Sequence, residues 1–230
     1  MSIVICTLKS WNNLLAEKLA EELGKQGCSV SILTKKEELT KEALEALQPE
    51  YVFFPHWSYI IPADIYDSFE CIVFHMTDLP YGRGGSPLQN LIQRGHKDTV
   101  ISAIRVEAGL DTGPIYLKHP LSLEGSAQEI YRRAANIIFS VMIPEILKER
   151  MTPQPQMGEV VEFARRKPSQ SELNGSLSLR GVYDLIRMLD AEGYPKAYVQ
   201  VGDMRIEFDR AKFVDGHLVA RAIFSGECDE

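Results

Sequence analysis

Short apolar runs alternate with amphipathic stretches along the first half of the chain. Ser10 and Thr40 each precede a leucine- or alanine-rich stretch with helical spacing, which predicts two helices with side-chain N-caps. Strands joined through helices favour a parallel arrangement, so the pattern predicts an α/β fold with a doubly wound, Rossmann-like, mostly parallel sheet. The runs with the composition of buried parallel strands are residues 3–7, 29–34, 51–55 and 71–75.

The second half continues the alternation of strand and helix patterns up to residue 150, and the pattern changes after that. Residues 99–106 predict a further strand, and a long helix over 126–150 is expected to begin with a capping box of Ser126 and Glu129. The proline-rich stretch 152–158 predicts a linker. Beyond it, one helix and alternating strand-like runs predict a small α+β subdomain. We therefore expect a catalytic domain over 1–151 and a C-terminal subdomain over 158–230.

Ligands of doubly wound sheets bind where the parallel strands end, so the segments 8–12, 56–62 and 75–87 are the candidate binding loops. None of them carries the G-x-G-x-x-G phosphate loop of dinucleotide enzymes. The third loop places Gly82, Gly84 and Gly85 around Arg83. Glycines allow close backbone approach to a ligand, and a guanidinium suits a phosphate or carboxylate, although a structural turn would use the same glycines.

Composition narrows the class of protein further. A formal net charge of -7 disfavours wholesale wrapping of nucleic acid, and ordinary globular composition favours a soluble, cytoplasmic enzyme. We expect no membrane span and no signal peptide. The cysteines form no C-x-x-C pair, so we expect reduced thiols and no metal site. They are Cys6, Cys28, Cys71 and Cys228.

An ordered set of residues between 71 and 116 resembles the folate-dependent formyltransferases, which include enzymes that act on methionyl-tRNA, glycinamide ribonucleotide and amino sugars. A strand ends at His75, TDLP ends at Pro80, RGGSP spans 83–87, and LDTG spans 110–113. Asp111 follows His75 at the family's own spacing, and SYIIP over 58–62 resembles the family's folate-pocket stretch. The resemblance implies formyl transfer from 10-formyltetrahydrofolate through a tetrahedral intermediate, with no metal.

The resemblance also implies which residues form the site. His75 would exchange protons near neutral pH, and Asp111 would orient it and stabilise its charged form. The flat folate ring would lie against aromatic and apolar side chains. The expected folate-binding residues are Trp57, Ser58, Tyr59, Ile60, Ile61 and Leu110. The expected acceptor-binding residues are Arg83, Gly84, Gly85, Trp11 and Asn12.

One position departs from the family's pattern. The family carries a catalytic asparagine two positions before the histidine, where this chain has Val73. Valine offers no hydrogen bond, so stabilisation of the oxyanion would fall to another group or to His75 alone. His56, Ser58 and nearby backbone N–H groups are the candidates.

The segments after the linker resemble the short C-terminal region of sugar N-formyltransferases, a branch related to amino-sugar (pseudaminic acid) enzymes and to peptide synthetase formylation domains. They are RRKP at 165–168, residues 182–199 and residues 205–211. We therefore expect a nucleotide-linked amino sugar as acceptor and small-molecule partners without nucleic acid, and a homodimer is a candidate assembly. Three alternatives stay open: a silent folate- or sugar-binding module, a formyltetrahydrofolate hydrolase, and formylation of an aminoacyl carrier or tRNA.

Overall fold

The protein is described by a computed structural model in which residues 1–226 are placed. The strands are β1 (Ser2–Cys6), β2 (Ser29–Leu33), β3 (Tyr51–Phe54), β4 (Cys71–His75), β5 (Tyr81–Gly84), β6 (Asp98–Arg105), β7 (Ile115–Ser122), β8 (Val161–Phe163), β9 (Ala197–Val201), β10 (Met204–Val214) and β11 (His217–Ser225). The helices are α1 (Ser10–Lys25), α2 (Lys41–Leu47), α3 (Ala63–Tyr66), α4 (Pro87–Gln93), α5 (Ala127–Ile137), α6 (Ile143–Glu149) and α7 (Leu179–Leu189). Contacts divide the chain into two compact units.

The first unit contains residues 1–84, 99–121 and 132–162 and is built on a sheet in the order β2-β1-β3-β4-β6-β7. β1 pairs in parallel with β2 and β3, and β3 pairs in parallel with β4, whereas β6 runs antiparallel to β4. The predicted fold, a doubly wound and mostly parallel sheet, is confirmed. The segments after β1, β3 and β4 consequently leave the sheet at the same edge.

A buried apolar cluster holds α2 and α3 against the sheet of the first unit. Each large apolar side chain moved from water into such a cluster contributes about 1.5–3 kcal/mol. Two of its members are cysteines, and burial raises the pKa of both thiols, that of Cys71 to about 12, which keeps them protonated. The cluster is formed by Val4, Cys6, Leu44, Val52, Phe54, Ile61, Ile65 and Cys71. Cys228 lies outside the described residues.

The second unit contains residues 85–98, 122–131 and 163–230, of which 227–230 are not described. α7 packs on β10 and β9 of a sheet in the order β11-β10-β9, and both strand pairs are antiparallel. The buried carboxylate of Asp209 accepts hydrogen bonds from Arg221 Nε at 2.7 Å and faces Lys196 Nζ at 3.1 Å. These cations lower the pKa of Asp209 to about 2.

Three local predictions differ from the structure. α1 begins at Ser10, and Lys9 occupies the cap position without a side-chain bond, so Ser10 is not the N-cap. The predicted long helix contains a π-helical segment over Ile138–Met142, because Pro144 has no N–H to bond the carbonyl one turn earlier. The glycine-rich loop contains β5, which pairs with β8, and α4 begins at Pro87.

Other local predictions are confirmed. Thr40 caps α2, with Oγ1 accepting from the Ala43 N–H at 3.2 Å, and Ser126 and Glu129 exchange the bonds of a capping box. Across residues 1–226, none of the helices has the length and apolar character needed to cross a membrane. The domain boundaries at 1–151 and 158–230 stay a prediction.

Candidate active site

His75, the last residue of β4, is held from both sides of its ring. Nε2 lies 2.8 Å from the carbonyl oxygen of Gly82, and Nδ1 lies 3.5 Å from Oδ2 of Asp111. A carbonyl oxygen only accepts, so Nε2 carries a hydrogen and Nδ1 is the basic nitrogen of the neutral ring. The His75 side chain is 9% exposed and that of Asp111 is 15% exposed, so water screens their interaction only weakly. A proton taken up at Nδ1 would face the carboxylate directly.

Asp111 reaches the histidine from a left-handed turn between β6 and β7. Its φ is 54°, a conformation that aspartate and asparagine adopt more readily than most residues. Its Oδ2 accepts a hydrogen bond of 2.9 Å from the Gly84 N–H, which points the carboxylate at β4 and β5. Two residues on, a Cβ at Gly113 would lie 1.9 Å from the carbonyl oxygen of Arg105, so only glycine lets the turn close against β6.

The glycine-rich segment serves this pair through its backbone. Gly82 presents its carbonyl to His75, Gly84 presents its N–H to Asp111, and both have positive φ, 78° and 103°. The guanidinium of Arg83 donates to Oε1 of Gln156 from Nε at 3.1 Å and from Nη2 at 2.7 Å. Gly85 belongs to the second unit, where a Cβ would meet Cβ of Arg165 at 2.6 Å. Acceptor binding by Arg83, Gly84 and Gly85 stays a prediction.

Asn12 ties the segments that follow β1 and β3 together. Its buried amide donates to Thr7 Oγ1 at 2.7 Å and to the Pro55 carbonyl at 3.3 Å, and it lies 3.3 Å from Nδ1 of His56. Burial, with the charge of Lys9, lowers the pKa of His56 to about 4, so the ring stays neutral and Nδ1 can accept this bond. These contacts hold the strand-end segments in place.

Trp11 lies beside the same histidine. Its ring packs edge-on against His56 with the centroids 6.2 Å apart, and Lys9 Nζ lies 5.5 Å from the Trp11 centroid. The predicted contact of Trp11 and Asn12 with the acceptor stays a prediction.

The predicted folate segment divides into an inner and an outer part. Ile61 is buried in the apolar cluster of the first unit, and Trp57 packs edge-on between Phe54 and Tyr59. Ser58 is exposed, and two apolar side chains beside it face solvent: Tyr59 is 50% exposed and Ile60 90%. Leu110, in the turn that carries Asp111, is 65% exposed. The folate-binding roles of Trp57, Ser58, Tyr59, Ile60, Ile61 and Leu110 stay a prediction.

Val73 lies two residues before His75 on β4, and side chains of a strand alternate, so it shares the face of the sheet from which His75 projects. Val73 packs against the apolar cluster and offers no hydrogen bond to the space beside the imidazole. Sequence reasoning did not single out Gln156, whose amide bonds Arg83 and the Asp111 turn. A glutamine in a proline-rich stretch carries no signal of such a contact.

Comparison with known proteins identifies the family. The model of the formyl transferase family matches residues 3–144, and a model described as the methionyl-tRNA formyltransferase C-terminal domain matches residues 168–225. The chain belongs to the formyl transferase family. The prediction of a folate-dependent formyltransferase is confirmed at this level, and the family's enzymes transfer formyl groups.

The individual relatives point to one branch. The chain is 28% identical to the methionyl-tRNA formyltransferase of Thermodesulfovibrio yellowstonii over 191 aligned residues. The aligned region covers 80% of this chain and 61% of that relative. The chain thus spans less than two thirds of that relative's length. A solved structure named methionyl-tRNA formyltransferase from Clostridium thermocellum is 52% identical to this chain and superposes on it with a TM-score of 0.96. The match covers 99% of this chain and 100% of that chain.

These relatives correct the predicted acceptor. A sugar N-formyltransferase from a Shewanella species shares the fold at a TM-score of 0.70 over 100% of this chain and 99% of that chain, but only 15% identity. The prediction of a nucleotide-linked amino sugar is wrong, because the 52% identity over nearly the whole chain is to a methionyl-tRNA formyltransferase. The prediction of partners without nucleic acid conflicts with the same relatives, which are named for methionyl-tRNA, whereas a folate as small-molecule partner is supported. Net charge does not decide between these acceptors, because it averages over a surface whose local patches govern binding.

Proposed function

We propose that this protein transfers a formyl group from 10-formyltetrahydrofolate to the amino group of methionyl-tRNA. The observation that carries the proposal is the His75–Asp111 pair, a shielded base and carboxylate at the edge of the sheet where the parallel strands end. The identity of 52% with a methionyl-tRNA formyltransferase along nearly the whole chain supports the same acceptor.

The residues predicted to bind folate have surfaces that suit it. Tyr59, Ile60 and Leu110 present large apolar surfaces to solvent, which a flat pterin ring would cover. Trp57 Nε1 is buried and has no hydrogen-bond acceptor among residues 1–226, so it is a donor suited to a polar edge of such a ring. Trp57, Tyr59, Ile60 and Leu110 would hold the co-substrate. When bound, 10-formyltetrahydrofolate would supply the formyl carbon, which gains its bond to the amine before it loses its bond to N10.

The chain's own groups handle the proton. His75 Nδ1 accepts the proton that the attacking amine loses, while the Gly82 carbonyl holds the Nε2–H and keeps the ring oriented. Oδ2 of Asp111, 3.5 Å from Nδ1, stabilises the resulting imidazolium. His75 then returns the proton to the departing nitrogen. The buried position of the pair keeps water from competing with the amine.

We further propose that the tRNA engages the C-terminal part of the chain. Residues 168–225 match the methionyl-tRNA formyltransferase C-terminal model, and the exposed side chains of Arg165 and Lys167 precede that region. Cations of this kind contact phosphates without reading sequence. In this proposal, residues 1–151 form the catalytic domain and 158–230 the acceptor-binding subdomain.

The direct test is transfer of radiolabelled formyl from 10-formyltetrahydrofolate to charged tRNA. We expect label in the methionyl-tRNA fraction and none in uncharged tRNA or in tRNA whose methionyl amine is acetylated, because only a free amine can attack. Tetrahydrofolate should appear in equal amount. Release of formate at the same rate with and without methionyl-tRNA would instead identify a hydrolase and contradict the proposal.

Val73 offers a gain-of-function test of the same site. An asparagine at residue 73 would project from the face of β4 that carries His75 and add a donor where negative charge develops on the formyl oxygen. We expect Val73→Asn to raise kcat about tenfold, a modest part of what one oxyanion donor supplies in other enzymes. The matched control is Val73→Leu, which adds bulk but no donor and should not raise kcat. An asparagine variant that folds but is no faster than the leucine variant would argue against this position.

A further inference from the structure

The side chain of Gln156 is the meeting point of the two segments that hold the catalytic pair. Its Nε2 donates to the carbonyl oxygens of Asp111 and Gly113, both at 2.8 Å, and its Oε1 accepts two hydrogen bonds from Arg83. Carbonyls only accept and a guanidinium only donates, so the amide can face one way only. Both amide hydrogens and the amide oxygen are therefore used.

The contacts of Gln156 fix the turn from which Asp111 projects. Residue 111 has a positive φ, and Gln156 binds the carbonyl of that residue and the carbonyl two residues later, so both bonds lie within the strained turn. A hydrogen bond to each carbonyl holds the peptide planes, and with them the direction in which the carboxylate leaves the backbone. On the other side, Arg83 immediately precedes Gly84, the residue whose N–H binds the same carboxylate.

The backbone around Gln156 is itself anchored. Gln154 pairs with Ile115 through two backbone hydrogen bonds of 2.7 and 2.8 Å. Gln154 lies two residues before Gln156, and Ile115 lies four residues after Asp111. The segment that carries the Gln156 side chain is therefore hydrogen-bonded to the start of β7. A side chain on a fastened backbone can hold a catalytic group within the small tolerance that proton transfer needs.

We propose that Gln156 is a positioning residue that acts through Asp111 to keep the carboxylate facing Nδ1 of His75. This inference rests on the proposed function for its kinetic readout. The amide of Gln156 hydrogen-bonds the backbone of the turn and the side chain of Arg83. Gln156 therefore influences His75 through the carboxylate of Asp111.

Gln156→Glu and Gln156→Ala test this role. Glutamate keeps the size and the partner of Arg83 but sets an oxygen against two carbonyl oxygens, so the turn loses its two bonds and gains repulsion. We expect kcat to fall about 10- to 100-fold, the effect of a displacement of about 1 Å, with KM for both substrates within about threefold of wild type. The matched control is Gln154→Glu, since in the described part of the chain that side chain bonds only the nearby Thr152 carbonyl. It should leave both constants unchanged.

A double-mutant cycle separates positioning from a merely structural role. If Gln156 acts through the carboxylate of Asp111, then adding Gln156→Ala to Asp111→Asn lowers kcat by less than about twofold, because coupled residues are non-additive. A further loss equal to that of the single variant would overturn the proposal. So would a Gln156→Glu variant that keeps full kcat. Thermal midpoints within a few degrees of wild type would show that the variants fold.

A measurement without substrates keeps the inference separate from the proposed function. Nuclear magnetic resonance of the 15N-labelled histidine rings in the ligand-free protein, with the His75 signals assigned from His75→Ala, reports the environment of Nδ1. We expect Gln156→Glu to shift the His75 signals and Gln154→Glu to leave them in place. If wild type fails to formylate methionyl-tRNA, the proposed function falls while this result still decides the inference. Unchanged His75 signals in Gln156→Glu would overturn it.

Discussion

Replacing His75 with alanine is expected to lower kcat for formyl transfer by at least about 10³-fold, while KM for 10-formyltetrahydrofolate stays within about threefold. The imidazole is the basic group that the structure places against Asp111, with its tautomer set by the Gly82 carbonyl. Alanine removes the proton acceptor and leaves the exposed apolar residues of the folate segment in place. Single-turnover measurement of labelled methionyl-tRNA, with enzyme in excess, isolates the chemical step.

The control for this variant is an alanine at another histidine. His217 is exposed at the start of β11, so His217→Ala should keep the wild-type rate. His75→Gln adds a second check, because glutamine can still donate to Gly82 but cannot take up a proton; we expect it to be as slow as alanine. A His75→Gln enzyme with more than a tenth of wild-type kcat would show that the proton leaves by another route.

The parts of the fold that could be predicted from sequence are those in which local pattern and burial agree. The run at residues 71–75 is apolar up to a terminal histidine, and β4 ends at His75. Thr40 caps the helix that follows it, because a hydroxyl one residue before a helical stretch has few other uses. Ser10 failed as a cap because the chain turns into α1 one residue earlier, at Lys9.

The candidate site was predictable in its residues but not in its connections. The order of His75, the glycines and Asp111 placed them in one motif, yet no periodicity indicates that the Gly82 carbonyl selects the tautomer or that the Gly84 N–H binds the carboxylate. These bonds depend on backbone directions set by positive φ at Gly82, Gly84 and Asp111. The contacts of Gln156 could not be predicted either, because its partners Asp111 and Arg83 lie 45 and 73 residues away in sequence.

Replacing Asp111 with asparagine is expected to lower kcat about 10²- to 10³-fold, the second-largest effect at this site. Asparagine tolerates the left-handed φ of 54° and can still accept from the Gly84 N–H, so the turn should survive. What is lost is the negative charge 3.5 Å from Nδ1, which favours the protonated imidazole formed during transfer. Pre-steady-state transfer to methionyl-tRNA measures the loss, with KM values unchanged.

The control for Asp111→Asn is the same substitution at an aspartate outside the site, which tests whether loss of any negative charge lowers kcat. Asp215, in the turn between β10 and β11, also has a left-handed backbone, with φ 48°, and the charge change in Asp215→Asn is the same. We expect that variant to keep the wild-type kcat. If Asp111→Asn kept more than half of wild-type kcat, the carboxylate would not stabilise the imidazolium in the slow step. The role of Asp111 would then be to shape the turn, a role that asparagine would also fill.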